Sequence, residues 1–170
     1  MSTMSSEGLR RNLSNLMRDY LWEVIIPLPV GGGDSNTLNL RCTSANIPGR
    51  SVGSILIPYK QSAGIKYPGK LTYSHTWDCA FIEGEDAAIF SDLYAWLQRL
   101  VDDYDNTGDD DINVKTDIYL KMVSRDNSNT LTIRLVGCYP ESIADIALAY
   151  DSEGNVVLPV TWSFDHWEKY

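Results

Sequence analysis

Alternation of apolar and polar residues dominates the chain and predicts mostly β structure. Along residues 71–81, large apolar or aromatic side chains alternate with small polar ones. Because successive side chains on a strand point to opposite faces, this period of two predicts half-buried strands. The segments predicted to be extended are 20–26, 38–44, 51–60, 71–81, 117–123, 130–137, 142–150 and 156–167.

One segment changes to a helical period. Glu85 and Asp86 precede it, where negative charge suits the positive end of a helix dipole. Its apolar residues recur every three or four positions, which predicts a helix with one buried face. The stripe consists of Ile89, Leu93, Trp96, Leu97 and Leu100.

The remaining segments complete a layout of many strands around one main helix. Leu9 and Leu13 begin a weak helical pattern that predicts an N-terminal helical extension over residues 1–18. Glycine and proline predict loops at 27–36 and 60–70, and Pro58 places its strand at an edge or at its end. We therefore expect one mostly β (α+β) domain spanning residues 1–170.

Composition and charge exclude several functional classes. The formal net charge of −9 and the pI of about 4.5 argue against tight binding to nucleic-acid phosphates. The three cysteines are too far apart for a zinc site or a disulfide framework, so we expect reduced thiols. The first 17 residues lack an apolar signal-peptide core, and no run is long enough for a membrane span. We expect synthesis in a cytoplasm and no membrane binding by the subunit.

A catalytic site is the first alternative, because Asp165 and His166 are adjacent near the end of the chain. Strand alternation, however, predicts that these two side chains point to opposite faces. The second histidine, His75, falls on an aromatic face between Tyr73 and Trp77. We therefore expect no catalytic residues, and a β-rich hydrolase using His75 or His166 is the alternative from another class.

Metal, phosphate and sugar sites are also disfavoured. Asp103, Asp105 and Gly108 match the start of a calcium-binding EF-hand loop, but its twelfth position is Val114 rather than glutamate. The triple glycine at 31–33 has no following Lys-Ser or Lys-Thr and fails as a phosphate loop. We predict no metal and no cofactor. A carbohydrate-binding module would use Trp22, Trp77 or Trp162, but these fall on the predicted core faces.

Several strands share a polar face of small hydroxylated residues. Such a face either meets solvent on one side of a sheet or lines a water-filled channel. The candidate channel-facing residues are Thr72, Ser74, Thr76, Thr130, Thr132, Thr161, Ser163 and Asp165.

A family resemblance covers most of residues 20–168. The segments 40–49 and 57–82 resemble a strand ending at a proline and a long hairpin of tail tube proteins from contractile-tailed bacteriophages. The segment 133–168 is similar to the end of these proteins, which has a Gly–aromatic–Pro pattern and an acidic–aromatic–Trp–Glu-like tail. His166 stands in this chain where the family typically has an aromatic residue before the Trp. The residues that carry this last similarity are Gly137, Tyr139, Pro140, Ile143, Ile146, Leu148, Asp151, Val160, Asp165, Trp167 and Glu168.

The resemblance implies a small antiparallel β-barrel or sandwich with one flanking helix and a long protruding hairpin loop. It implies hexameric rings that stack into a hollow tube, with tail sheath, baseplate and tail terminator proteins as partners. DNA would pass through the lumen without specific binding, in a virion assembled in the host cytoplasm. Baseplate-proximal tube initiators and the tubes of phage-derived injection systems share this fold and remain alternatives.

The resemblance also implies a contact between rings through the long hairpin. Because three lysines lie in this loop of an acidic protein, it can pair with an acidic surface of the next subunit, such as the loop 102–111. The residues implied in this contact are Lys60, Ile65, Lys66, Tyr67 and Lys70.

Overall fold

A computed structural model describes residues 16–29, 35–60, 62–150 and 153–170. The helices are α1 (Ser35–Arg41), α2 (Ala88–Leu100) and α3 (Asp111–Val114). The strands are β1 (Trp22–Ile25), β2 (Cys42–Ala45), β3 (Ser51–Tyr59), β4 (Ser62–Thr72), β5 (Thr76–Ile82), β6 (Thr116–Val123), β7 (Asn129–Ile143), β8 (Val157–Ser163) and β9 (His166–Lys169).

The long strand β7 joins two halves of one antiparallel sheet. The strand order is β1-β6-β7-β8-β5-β2, and β9 pairs with β7 beside this path. The first part of β7 pairs with β6 and β9, whereas its last residues, Tyr139 to Ile143, pair with β8. Strands β3 and β4 form a separate two-stranded hairpin. The predicted mostly β architecture is confirmed, although the sheet does not close into a barrel through pairing of the described strands.

Three tryptophans from three elements form the centre of the core. The ring of Trp162 on β8 lies 6.2 Å from that of Trp77 on β5 and 5.4 Å from that of Trp96 on α2. Helix α2 also buries Ile89 and Leu93 against the sheet. The predicted helix is therefore confirmed, and so are the inward faces of β5 and β8.

The prediction of a strand at 38–44 is wrong for the first half of this segment. Residues Ser35–Arg41 form α1, and the strand begins only at Cys42. Leu38 is fully buried while Leu40 is 85% exposed, which contradicts a shared strand face. Tertiary hydrogen bonds hold this helix, since Asn39 Oδ1 accepts from the Ile26 amide at 2.8 Å.

The loop predicted at 60–70 is a strand for most of its length. Ser62–Thr72 forms β4 and pairs with β3, so the reversal is confined to the residues around Lys60, which has a φ of 41°. Pro58 lies within β3, whose single neighbour in the described residues is β4, as expected of an edge strand. The predicted strand 71–81 is interrupted at 73–75, where His75 takes a φ of 57°.

The predicted last strand, 156–167, is divided at residues 164–165. Leu158, Val160 and Trp162 are buried as expected, but His166 is exposed and Trp167 packs against the core. Breaking the alternation by one residue exchanges the two faces of a strand, so β9 is inverted relative to the prediction. The segment 142–150 is extended only as far as Ile143.

The predicted N-terminal helix lies almost wholly outside the described residues. Its last three positions, 16–18, are described and are not helical. In the described part of the chain, no helix has the length and apolar character needed to cross a membrane.

A glycine allows the corner between the two halves of the sheet. Gly137 has a φ of 68°, and a Cβ added there would collide with the carboxylate of Asp165. The Asp165 amide in turn donates to the Val136 carbonyl at 3.0 Å, which fixes the point where the chain passes from β8 to β9. The corner therefore requires both a left-handed backbone and the absence of a side chain.

Replacing Gly137 with alanine is expected to lower the free energy of unfolding by about 1–3 kcal/mol, the usual cost of a strained backbone. Thermal or denaturant unfolding measures this loss. Gly49→Ala is the matched control, since an added Cβ there meets no atom within 4 Å. Equal stability of the two variants would contradict the proposed role of the corner.

Candidate assembly surfaces

Neither histidine lies in a catalytic arrangement. His75 Nδ1 is hydrogen-bonded to the Phe164 carbonyl oxygen at 3.2 Å. The centre of the His75 ring lies 5.9 Å from that of the Tyr73 ring. His166 is exposed on β9. Within the described residues, no three His, Cys, Asp or Glu side chains are grouped as a metal site would need. The geometry gives no support to a hydrolase.

The tryptophans proposed for sugar stacking are unavailable. Trp77 and Trp162 are fully buried. Their indole N–H groups donate to the Asn46 carbonyl at 2.6 Å and to Cys79 Sγ at 3.1 Å. Trp22 is partly buried and packs against the core. Neither of the two buried rings can therefore stack on a sugar.

The acidic loop after α2 is organised by its own hydrogen bonds. The amide of Asp102 donates to the Thr107 carbonyl at 2.7 Å, and the Asp109 amide donates to the Arg99 carbonyl at 2.9 Å. Arg99 also pairs with the Asp109 carboxylate at 2.8 Å. The segment therefore folds back on the end of the helix, as expected of a solvated acidic loop.

All three cysteines are free thiols. Cys79 and Cys138 are buried, and burial raises the pKa of both, to about 12 for Cys138. A raised pKa keeps a thiol protonated at neutral pH and therefore unreactive. These cysteines serve as core residues.

The β3–β4 hairpin, which we name the arm, projects its residues into solvent. All nine residues of β3 are exposed. Ile57 pairs with Ile65, and Ile55 with Tyr67, so these four side chains share one face. Each of them is 50–58% exposed. Lys66 pairs with Leu56 and lies on the opposite face.

The arm is also the basic part of an acidic protein. Residues 50–74 contain Arg50, Lys60, Lys66 and Lys70 and no Asp or Glu. Ten of the 14 Lys and Arg residues therefore remain to balance all 23 Asp and Glu, which gives the rest of the chain a formal charge of −13. Charge and exposed apolar area coincide on one projecting element.

A second surface, which we name the hydroxyl patch, lies on the outer face of β5 and β8. Thr76 pairs with Ser163 and Asp78 with Thr161, and the Thr161 hydroxyl donates to Asp78 Oδ1 at 2.8 Å. Strands β2, β5 and β8 contain no Lys or Arg. The patch therefore consists of small polar side chains, and its own strands contribute no positive charge.

The other half of the sheet has an outer face of ion pairs. Arg134 on β7 binds Asp117 at 2.6 Å and Glu168 at 3.1 Å. Partial burial of Asp117 opposes its ionisation. The hydrogen bonds from Arg134 and from the Gly137 amide outweigh this effect and lower the pKa of Asp117. Lys121 pairs with Glu23 at 3.7 Å on the same face.

The profile of the family described as phage tail tube protein matches residues 17–170. The chain belongs to the phage tail tube protein family. Its function is that of a structural subunit of a tail tube. No curated protein matches the chain.

Solved structures of similar fold come from contractile particles. The tube-terminating cap of the anti-feeding prophage is 16% identical, with a TM-score of 0.65 and coverage of 93% of both chains. A chain of the PVC extracellular contractile injection system in its sheath–tube complex is 14% identical, with a TM-score of 0.63 and 99% coverage of both chains. A chain of the PVC sheath/tube terminator is 14% identical, with a TM-score of 0.65 and coverage of 93% of this chain and 99% of that chain. At these identities the likeness concerns the fold.

The predicted contact residues of this tube subunit divide between two faces of the arm. Ile65 and Tyr67 belong to its apolar face and Lys66 to the opposite one, while Lys60 lies at the tip. The sequence alone did not place Ile55 and Ile57 on the apolar face, because β3 and β4 had to be paired before their common face was evident.

The predicted channel residues are likewise not one surface. Thr76, Thr161 and Ser163 lie together in the hydroxyl patch. Thr132 pairs with Lys121 in the ion-paired half. The other members are dispersed: Thr72 ends β4, the Ser74 hydroxyl donates to the Thr76 carbonyl, Asp165 pairs with Lys115 at 3.6 Å, and the side chain of Thr130 lies outside the described part.

The lowered pKa of Asp117 predicts a pH-dependent contribution to stability. A depressed folded pKa stabilises the native state above the unfolded value of about 3.9, and this stability is lost as the pH falls through the folded pKa. Asp117→Asn is expected to lower the free energy of unfolding by about 1–3 kcal/mol at pH 7. Denaturant unfolding should show the difference from the wild type shrinking below about pH 4.

The exposed Asp105 offers a matched control for that measurement, because Asp105→Asn removes the same charge from the acidic loop. Its unfolding curves should follow those of the wild type at each pH. A constant difference between wild type and Asp117→Asn from pH 7 to pH 3 would rule out the electrostatic role of Asp117.

Proposed function

We propose that copies of this tail tube subunit form hexameric rings that stack into the hollow tube of a contractile phage tail, through which the genome is ejected. The observation that carries the proposal is the arm, a projecting hairpin with an apolar face and a positive charge. The hexamer and the contractile tail come from the family resemblance, and the family itself favours a tube over a baseplate initiator.

An isolated two-stranded hairpin is only marginally stable in water. The arm nevertheless leaves Ile55, Ile57, Ile65 and Tyr67 about half exposed. Contact with another copy would cover this face and stabilise the hairpin. A contact between different surfaces of identical subunits either closes into a ring or repeats along an axis, and a tube needs both kinds.

The hydroxyl patch suits the wall of a DNA channel. Phosphate binding requires Lys and Arg, which the patch lacks on its own strands. Asp78 adds a negative charge that repels phosphate. We therefore propose Thr76, Asp78, Thr161 and Ser163 as the lumen-facing set, which replaces the longer set expected from alternation.

Tail sheath, baseplate and tail terminator proteins are the proposed partners of the assembled tube. They follow from the resemblance and from the place of a tube inside a contractile tail. We propose the virion as the location of the mature subunit and the host cytoplasm as the place of assembly, with no enzymatic activity.

Electron microscopy of the purified protein tests the proposed assembly, and charge reversal in the arm sharpens the test. Lys66→Glu/Lys70→Glu is expected to reduce tube formation strongly, because the arm would then be repelled by the acidic body of the next copy. Circular dichroism and the unfolding midpoint should remain those of the wild type, since both lysines are exposed.

The matched control is Arg18→Glu/Lys169→Glu, which changes the net charge equally outside the arm. Tubes of normal length are expected from this control. Normal stacking of the Lys66→Glu/Lys70→Glu variant would refute the arm contact, whereas a wild-type protein that stays monomeric would refute the tube itself.

Placing a cation in the channel tests the lumen assignment separately. Thr76→Lys should leave tube assembly intact but slow genome ejection, because each subunit would then offer a phosphate-binding charge. The comparison is Thr76→Gln, which adds length without charge. Equal ejection rates of particles carrying the two variants would contradict the assignment of Thr76 to the lumen.

A further inference from the structure

We infer that a groove between the two edges of the seven-stranded sheet, the seam groove, receives the apolar face of the arm from a second copy. The inference rests on the proposed tube and assigns the surface to which its arm binds. The seam groove is formed by β1 on one side and by the end of β2 and the residues after it on the other. Its lining includes Asp19, Trp22, Val24, Ala45, Ile47 and Met122.

The groove has a shape and chemistry that suit an apolar side chain. The edge strands β1 and β2 are not paired to each other, so an opening of about 170 Å³ remains between them. Its walls are mostly apolar, and Ile47 on the rim is 46% exposed. A cavity of about 150 Å³ accommodates a benzene-sized group. The opening therefore has room for one large side chain of the arm.

The arm does not occupy the groove of its own chain. Among the described residues, none of the arm lines the groove, and the apolar face of the same arm stays about half exposed. Two uncovered apolar surfaces, one projecting and one concave, are thus present on each subunit. Mutual burial between copies covers both, as heterologous contacts do in open assemblies.

The arm and the rim of the groove carry opposite charges. The arm carries three basic residues, Lys60, Lys66 and Lys70, and no acidic one, and the rim of the groove carries Asp19 and Glu23. Lys121 pairs with Glu23 at 3.7 Å, which leaves the rim acidic by one charge. The positive charge of the arm and the net negative charge of the rim attract each other, so charge attraction adds to the apolar contact.

The acidic loop 102–111 is the competing acceptor for the arm. It supplies charge, but the apolar face of Ile55, Ile57, Ile65 and Tyr67 needs an apolar counterpart. The exposed side chains near that loop, Tyr104 at 93% and Ile112 at 92%, project outward rather than forming a depression. The seam groove offers an apolar depression for one side chain of this face, together with an acidic rim.

A pair of isoleucine substitutions separates the two acceptors. Ile47→Lys places a charge on the groove rim and is expected to reduce tube yield in electron microscopy about tenfold or more. Ile112→Lys makes the same change beside the acidic loop and should leave the yield unchanged. Because both side chains are exposed, unfolding midpoints should match the wild type, which separates lost assembly from lost folding.

Cross-linking locates the contact directly. In a Cys42→Ser background, Ile47→Cys combined with Ile65→Cys should give a ladder of covalent oligomers when assembled tubes are oxidised. Asp103→Cys combined with Ile65→Cys should not. Each single-cysteine variant controls for non-specific oxidation.

The outcomes distinguish the groove from the tube. If wild-type tubes form and Ile47→Lys assembles equally well, or if Asp103→Cys rather than Ile47→Cys cross-links to Ile65→Cys, the groove assignment is wrong while the tube stands. If the wild-type protein forms neither rings nor tubes, the proposed function fails and the groove assignment fails with it.

Discussion

The bend of β7 at Gly137 is the constraint on which the rest of the sheet depends. A single strand pairs with β6 and β9 before the bend and with β8 after it. Gly137 supplies the left-handed backbone, and Asp165 occupies the space where a side chain would be. Because Asp117 accepts from the Gly137 amide and from Arg134, the corner also anchors the ion-paired face. One corner thus separates the two outer surfaces, one of ion pairs and one of hydroxyl groups.

Charge divides the molecule into two parts: residues 50–74, which include the arm, and the rest of the chain, which we call the body. Residues 50–74 have a formal charge of +4, and the body has −13. Like charge keeps bodies apart in solution, while opposite charge draws an arm towards the body of another copy. An exposed apolar face would otherwise be an aggregation hazard. Placing it on a cationic element directs it towards one kind of acidic partner, which is a form of specificity.

The elements that local patterns could predict are those whose faces are fixed by burial. Alternation identified the buried sides of β5 and β8, and the helical stripe identified α2, because Trp77, Trp96 and Trp162 share one core. The errors lie where tertiary contacts override the pattern. The segment around Leu38 and Asn39 alternates in sequence but is helical, because Leu38 is buried and Asn39 accepts a hydrogen bond from Ile26. At the Gly137–Asp165 corner the alternation shifts by one residue, so the inward and outward faces of β9 are exchanged. The apolar face of the arm required a strand register, which depends on residues distant in sequence.

A tube subunit does not need a strong single contact. If each copy contributes one arm and one groove, the contacts between two rings act together, and simultaneous engagement raises the apparent affinity far above that of one pair. A modest depression that takes one side chain is then sufficient, and the free subunit can stay soluble until rings meet. The proposed surfaces, a shallow groove and an exposed hairpin face, suit many weak contacts made together. Asp165 and His166, adjacent in sequence, lie at a corner and on an exposed strand.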